Sequence, residues 1–113
     1  MRTFGLLDGL EFRDKGPHSQ PLYVDHRGLT GRILRFTLRP GQVIRQHEAP
    51  HSPVYIVVLQ GEGMFAGGDG KEQLLGPGSL AVFDTGETHS VRAMQADLAF
   101  ILFLHGVPEE ITH

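Results

Sequence analysis

The sequence predicts a small all-β domain that closes as a barrel, and three observations carry that reading. Fifteen glycines and seven prolines punctuate 113 residues every few positions. Between them lie short segments rich in Val, Ile, Leu and Phe. No segment keeps a 3.6-residue apolar period, so helix should be scarce. Short strands at regular turn spacing indicate a sandwich or barrel rather than a helical fold. The length suits one domain, 1–113, with one compact core that needs no disulfide or structural zinc as a staple.

The first twenty residues read as irregular, followed by a short edge strand near Leu22 to Asp25. Gly31 to Arg39 alternates, with Leu34, Phe36 and Leu38 on one face and Arg35, Thr37 and Arg39 on the other. Pro40-Gly41 breaks it, Gln42 to Gln46 resumes as a strand leading to His47, and HEAPHSP reads as a turn. Val54 to Leu59 (VYIVVL) is the strongest strand, β-branched, aromatic and apolar on both faces. Met64 to Ala66 continues after Gly61 and Gly63, and Gly67-Gly68-Asp69-Gly70 is a hairpin turn where positive φ costs little. Gln73 to Leu75, Leu80 to Phe83, His89 to Ala93 and Leu98 to Leu104 (LAFILFL) complete the strands. Turns at Gly76-Pro77-Gly78, Asp84-Thr85-Gly86-Glu87 and Gln95 to Asp97 separate them.

VYIVVL and LAFILFL are apolar on both faces, yet a barrel wall turns only one face to its own core. Something must cover the other. A second subunit is the simplest cover, which makes a homodimer the expectation; packing by the N-terminal segment is the alternative.

Composition narrows the function classes. The chain has no cysteine, which excludes disulfides, a Cys-ligated zinc and a thiol nucleophile. A net charge of −3 without a Lys/Arg run gives no nucleic-acid footprint. The opening MRTFGLLDGLEFRDKG carries Asp8, Glu11 and Asp14 where a secretory leader needs an uninterrupted apolar run. The longest apolar run falls far short of the roughly 20 residues that span a membrane. No membrane partner is expected, and a soluble cytoplasmic protein is the default.

From Gly41 to Ala93 the chain resembles the cupin superfamily, in particular its small single-domain members. The first cupin motif runs Gly, five residues, His, any, His, three or four residues, Glu, six residues, Gly. GQVIRQHEAPHSPVYIVVLQG supplies Gly41, His47 and Gly61 at that spacing. The second runs Gly, five residues, Pro, any, Gly, two residues, His, three residues, Asn. GSLAVFDTGETHSVRA supplies Gly78, Gly86 and His89, with Asp84 and Ala93 at the Pro and Asn places. The resemblance implies a double-stranded jelly roll. Cupins include dioxygenases, isomerases, epimerases, sugar sensors and storage proteins, so the fold does not fix a function.

Of the four metal ligands usual in that family, the resemblance retains His47 and His89. The second His place is Ala49 and the Glu place is Val54, neither of which ligates a metal. In the family register His47, His89, Val54, Ile56 and Val58 face the barrel mouth and its apolar floor. His51, four residues after His47, is placed to offer a third nitrogen. The candidate metal site is therefore His47, His51 and His89, for a divalent ion (Zn, Fe, Ni, Mn or Cu). The competing reading leaves His51 an exposed turn residue and the other two hydrogen-bonded without metal.

Alternation puts Glu48 on the face opposite His47, against its serving as a replacement carboxylate. Arg35 and Arg45 read as surface charges before they read as anion ligands. Tyr55 reads as wall packing, and Glu87 as a rim acid or a solvated turn residue. His18, His26, His105 and His113 lack motif context. Two function classes stay open: a metalloenzyme acting on a small organic substrate through a Lewis-acidic or O₂-activating ion, and a metal-free, non-catalytic binding or sensor cupin.

Overall fold

The structure, a computed structural model, describes residues 1–25 and 31–105. His26 and His113 lie outside the described residues. Nine strands form two antiparallel sheets, and no helix occurs among the described residues. The strands are β1 (His18–Val24), β2 (Arg32–Leu38), β3 (Val43–His47), β4 (Val54–Gln60) and β5 (Gly63–Ala66), then β6 (Glu72–Leu75), β7 (Leu80–Phe83), β8 (His89–Ala93) and β9 (Leu98–Leu104). One sheet has the order β1-β2-β9-β4-β7 and the other β3-β8-β5-β6. This is the jelly roll that the spacing of turns and the cupin resemblance predict.

Period-two alternation builds the core. Val54, Ile56 and Val58 of β4, Leu98, Phe100 and Leu102 of β9, and Phe65, Val91 and Ala93 of the facing sheet form one buried cluster. Phe100 ties the layers together. Its ring stacks on Phe36 of its own sheet at 5.1 Å and meets Phe65 of the other edge-on at 5.7 Å. Leu34 and Phe36 pack against the cluster and Leu38 lies within it, as the alternation of β2 predicts.

The outer face of the five-stranded sheet differs from expectation. Arg35 and Thr37 point outward yet are buried, because residues 1–17 cross over them as a strap. The Arg35 guanidinium donates to the carbonyls of Leu6 (3.0 Å), Asp8 (2.7 Å) and Gly9 (3.3 Å) and to Gln20 Oε1 (2.7 Å). Thr37 Oγ1 donates to the Glu11 carbonyl. Ala99 and Ile101, the β9 partners of Thr37 and Arg35, are buried with them. The N-terminal segment thus covers the β2–β9 half of the face. A charge on an apolar sheet is tolerable here because its donors meet carbonyl oxygens. Alternation alone marks Arg35 as a surface charge; tertiary contact buries it.

Two further details set the ends of the barrel. β1 begins at His18, four residues before its expected start, paired with β2 through a register shift between Pro21 and Tyr23. Gly61 leaves β4 with φ of 74°, and a Cβ there would strike the Asp97 carbonyl. The glycine is required on both counts.

Candidate functional site

β3 and β8 pair at one end of the four-stranded sheet, and the pairing sets His47 directly opposite His89. A register shift between Ile44 and His47 precedes that pair. Cross-strand partners share a face, so the two rings meet edge to face with centroids 4.1 Å apart. Phe83, from β7 of the other sheet, closes against His89 at 5.1 Å. The strand alternation and the family register both bring His47 and His89 together, and the structure does so.

The two imidazoles differ. His47 is exposed at the rim, and its Nδ1 lies 3.1 Å from the Arg45 carbonyl. His89 is only 2% exposed, with Nδ1 3.4 Å from the Glu87 carbonyl and a buried Nε2 that has no hydrogen-bond partner. A carbonyl accepts only from N–H, so the Glu87 carbonyl favours the neutral His89 tautomer with its proton on Nδ1, which leaves Nε2 as the acceptor. Burial, then the neighbouring His47, pushes the His89 pKa below the ordinary imidazole value; the Glu87 carbonyl and carboxylate oppose this less strongly. His89 is therefore a neutral acceptor inside an apolar wall.

Apolar atoms stand where a third and fourth ligand would be needed. Val54 is buried in the core cluster, and Ala49 packs against it while its carbonyl accepts the Gly86 amide at 2.9 Å. His51 sits exposed in the turn at residues 50–52, outside the ring pair. Among the described residues, no group of three or more His, Cys, Asp or Glu side chains is gathered closely enough to hold a metal ion. Glu48 is exposed beside His47.

Glu87 has a definite job that its sequence context does not announce. Its carboxylate accepts the Gly68 amide at 2.8 Å and the Asp84 amide at 2.9 Å, pinning the β5–β6 turn to the β7–β8 turn. Those two amides hold its pKa below the usual carboxylate range. Gly67 is part of the fit, since a Cβ there would meet the carboxylate. Tyr55 lies on the outer wall as expected, its hydroxyl 3.1 Å from His105 Nε2. His18 lies near Glu11 in the strap.

A cleft of about 680 Å³ opens between the β6 and β7 edges, with Phe65, Gln73, Leu75, Phe83 and Glu87 among its lining. Neither histidine lines it, although Phe83 touches both the cleft and His89. No helix among the described residues is long and apolar enough to cross a membrane.

The cupin domain family model matches residues 34–105, well over half of the chain. No curated protein matches the sequence. Among solved structures, an RmlC-like cupin protein from Desulfovibrio desulfuricans shares 24% identity over 93% of this chain and 96% of its own, with a TM-score of 0.82. A protein from Thermus thermophilus shares 21% over 94% and 98%, with a TM-score of 0.84. A predicted oxalate decarboxylase from Thermotoga maritima shares 24% over 80% and 81%, with a TM-score of 0.73. At these identities the likeness is one of fold.

Proposed function

The chain belongs to the cupin domain family, and on that premise we propose that it is a metal-free, non-catalytic cupin that binds a small organic molecule at the His47–His89 end of its barrel. One observation carries this reading: the buried, unpartnered Nε2 of His89. A buried acceptor without a donor costs about 1–3 kcal/mol. A ligand that enters past His47 at the rim and presents one O–H or N–H to Nε2 removes that cost on binding. His47 stands at the rim beside it.

The donor set does not fit the ion usual in the family. Two imidazoles remain, and Ala49 and Val54 occupy the other ligand places. A second reading, a divalent ion held by His47, His51 and His89, has one observation in its favour. Both Nδ1 atoms are turned to backbone carbonyls, the arrangement that bares Nε2 in metal-ligating histidines.

Elemental analysis of protein purified without a His-tag separates the two. The binding reading expects metal well below one equivalent per chain. It also expects neutral phenols, alcohols or amides to raise the melting temperature of the wild type but not of His89→Leu. Stoichiometric metal whose affinity falls sharply in His51→Ala overturns it in favour of the three-histidine site.

A further inference from the structure

We propose that the cleft between β6 and β7 is a peptide-binding slot, in which an extended segment of a partner protein adds as a strand to both edges at once. The proposal is independent of the reading at His47 and His89. β6 and β7 follow one another through residues 76–79, a connection short enough for a hairpin. They do not pair. β6 bonds to β5 and β7 to β4, and each is the last strand of its sheet. Two strand edges therefore flank the cleft of about 680 Å³. In a ladder, alternate residues turn their N–H and C=O away from the partner strand. Among the described residues, no turn or loop hydrogen bond involves the backbone of 72–75 or 80–83. Exposed edges are ordinarily blunted by proline, a bulge or a cover. β7 reads Leu-Ala-Val-Phe and keeps unbroken register with β4.

The slot has fixed ends and the size of a strand. Residues 76–79 join the end of β6 to the start of β7. At the far end the Glu87 carboxylate accepts the Gly68 amide at 2.8 Å and the Asp84 amide at 2.9 Å, tying the β5–β6 turn to the end of β7. A strand advances about 3.3 Å per residue and takes about 4.8 Å of sheet width and about 10 Å of thickness. Four residues, the length of β6 and of β7, thus need roughly 630 Å³. That matches the cleft. A slot held open at both ends costs little reorganisation when a guest enters.

The lining selects the guest. Ala81 and Phe83 share the inner face of their sheet with their partners Ile56 and Val54, and Leu75 packs on the core from the opposite edge. Alternate side chains of the guest meet this apolar floor. Among the charged groups of the lining, Asp69, Glu72 and Glu87 outnumber Lys71, with Glu72 shared with Arg92 at 3.2 Å. The intervening positions therefore favour Lys or Arg over Asp or Glu. The guest is an alternating apolar and basic segment, held by main-chain hydrogen bonds and set in register by its apolar side chains.

A fluorescent, end-blocked hexapeptide of alternating Val and Lys, titrated into the full chain and followed by anisotropy, tests the proposal. It should bind with a dissociation constant below about 1 mM, and backbone amide NMR shifts should cluster at 72–75 and 80–83. Methylating either alternate set of peptide amide nitrogens should weaken binding at least about ten-fold, because each set faces one edge. Replacing the peptide lysines with Glu should also weaken it. Ala81→Arg, which fills the slot, should do the same; the methylated peptides keep the test open if that variant fails to fold. His89→Leu should bind the peptide as the wild type does, which separates this site from the barrel mouth. Absence of binding below about 1 mM overturns the proposal. So does equal binding of both methylated peptides, the mark of a cleft that reads side chains alone. Sensitivity to only one methylated set, or shifts centred on His47 and His89, overturns it as well.

Discussion

Replacing His89 with Leu should make the protein more stable while abolishing ligand binding, an uncommon outcome for a residue only 2% exposed. The magnitude follows from what the ring does and does not contact. Nε2 is buried and unpartnered, and removing such an acceptor recovers about 1–3 kcal/mol. Against that stands a contact of 3.4 Å from Nδ1 to the Glu87 carbonyl, too long to contribute more than about 0.5 kcal/mol. Ring contacts with His47 and Phe83 contribute a further ~0.5–1.5 kcal/mol. Leu is close to His in volume, so no large cavity opens. At the midpoints of these ranges the net is a gain of about 0.5 kcal/mol, seen in urea as a slightly higher midpoint with an unchanged m-value.

The pH dependence gives a second readout. The folded-state pKa of His89 is lowered, so its neutral form is favoured on folding. Its contribution is complete above the unfolded value near 6.5 and is lost as pH falls through the folded value. The slope in that window is at most about 1.4 kcal/mol per pH unit. His89→Leu should lack that component. If the variant instead loses 2 kcal/mol or more, in the range of ordinary core truncations, Nε2 has a partner in solution and the binding argument fails.

Two other substitutions test the frame around the site. Arg35→Ala removes four hydrogen bonds of 2.7–3.3 Å to the strap and Gln20. It should cost about 3 kcal/mol and make residues 1–17 sensitive to limited proteolysis, with only partial rescue by Lys, which lacks the guanidinium fork. Gly61→Ala must adopt φ of 74° with its methyl against the Asp97 carbonyl; a loss of more than about 2 kcal/mol in thermal unfolding is expected, and a neutral result would mean that the β4–β5 corner relaxes freely.

Much of this protein is legible in its sequence, because turns and strand periods are local. Leu80–Phe83, His89–Ala93 and Leu98–Leu104 fall at the bounds their flanking turns mark. Gly78 and Gly86 adopt the positive φ their turns demand. The cupin motif spacing and strand alternation also suffice to set His47 and His89 on one face, since a period of two carries across a paired strand.

What lay beyond the sequence depends on which segments meet. Ser19, Gln20 and Pro21 have no apolar period, and only pairing with β2 makes them strand. Arg35 reads as a surface charge until the strap carbonyls reach it. Glu87 reads as a rim acid until the Gly68 amide, 19 residues away in sequence, meets its carboxylate. The same holds for the atom on which the proposed function rests. The motif places a histidine at position 89, but whether its Nε2 faces water, metal or nothing is set by Phe83, His47 and the apolar residues packed around it. A periodic pattern specifies which face a side chain takes; only the assembled tertiary surroundings specify whether its polar atom finds a partner.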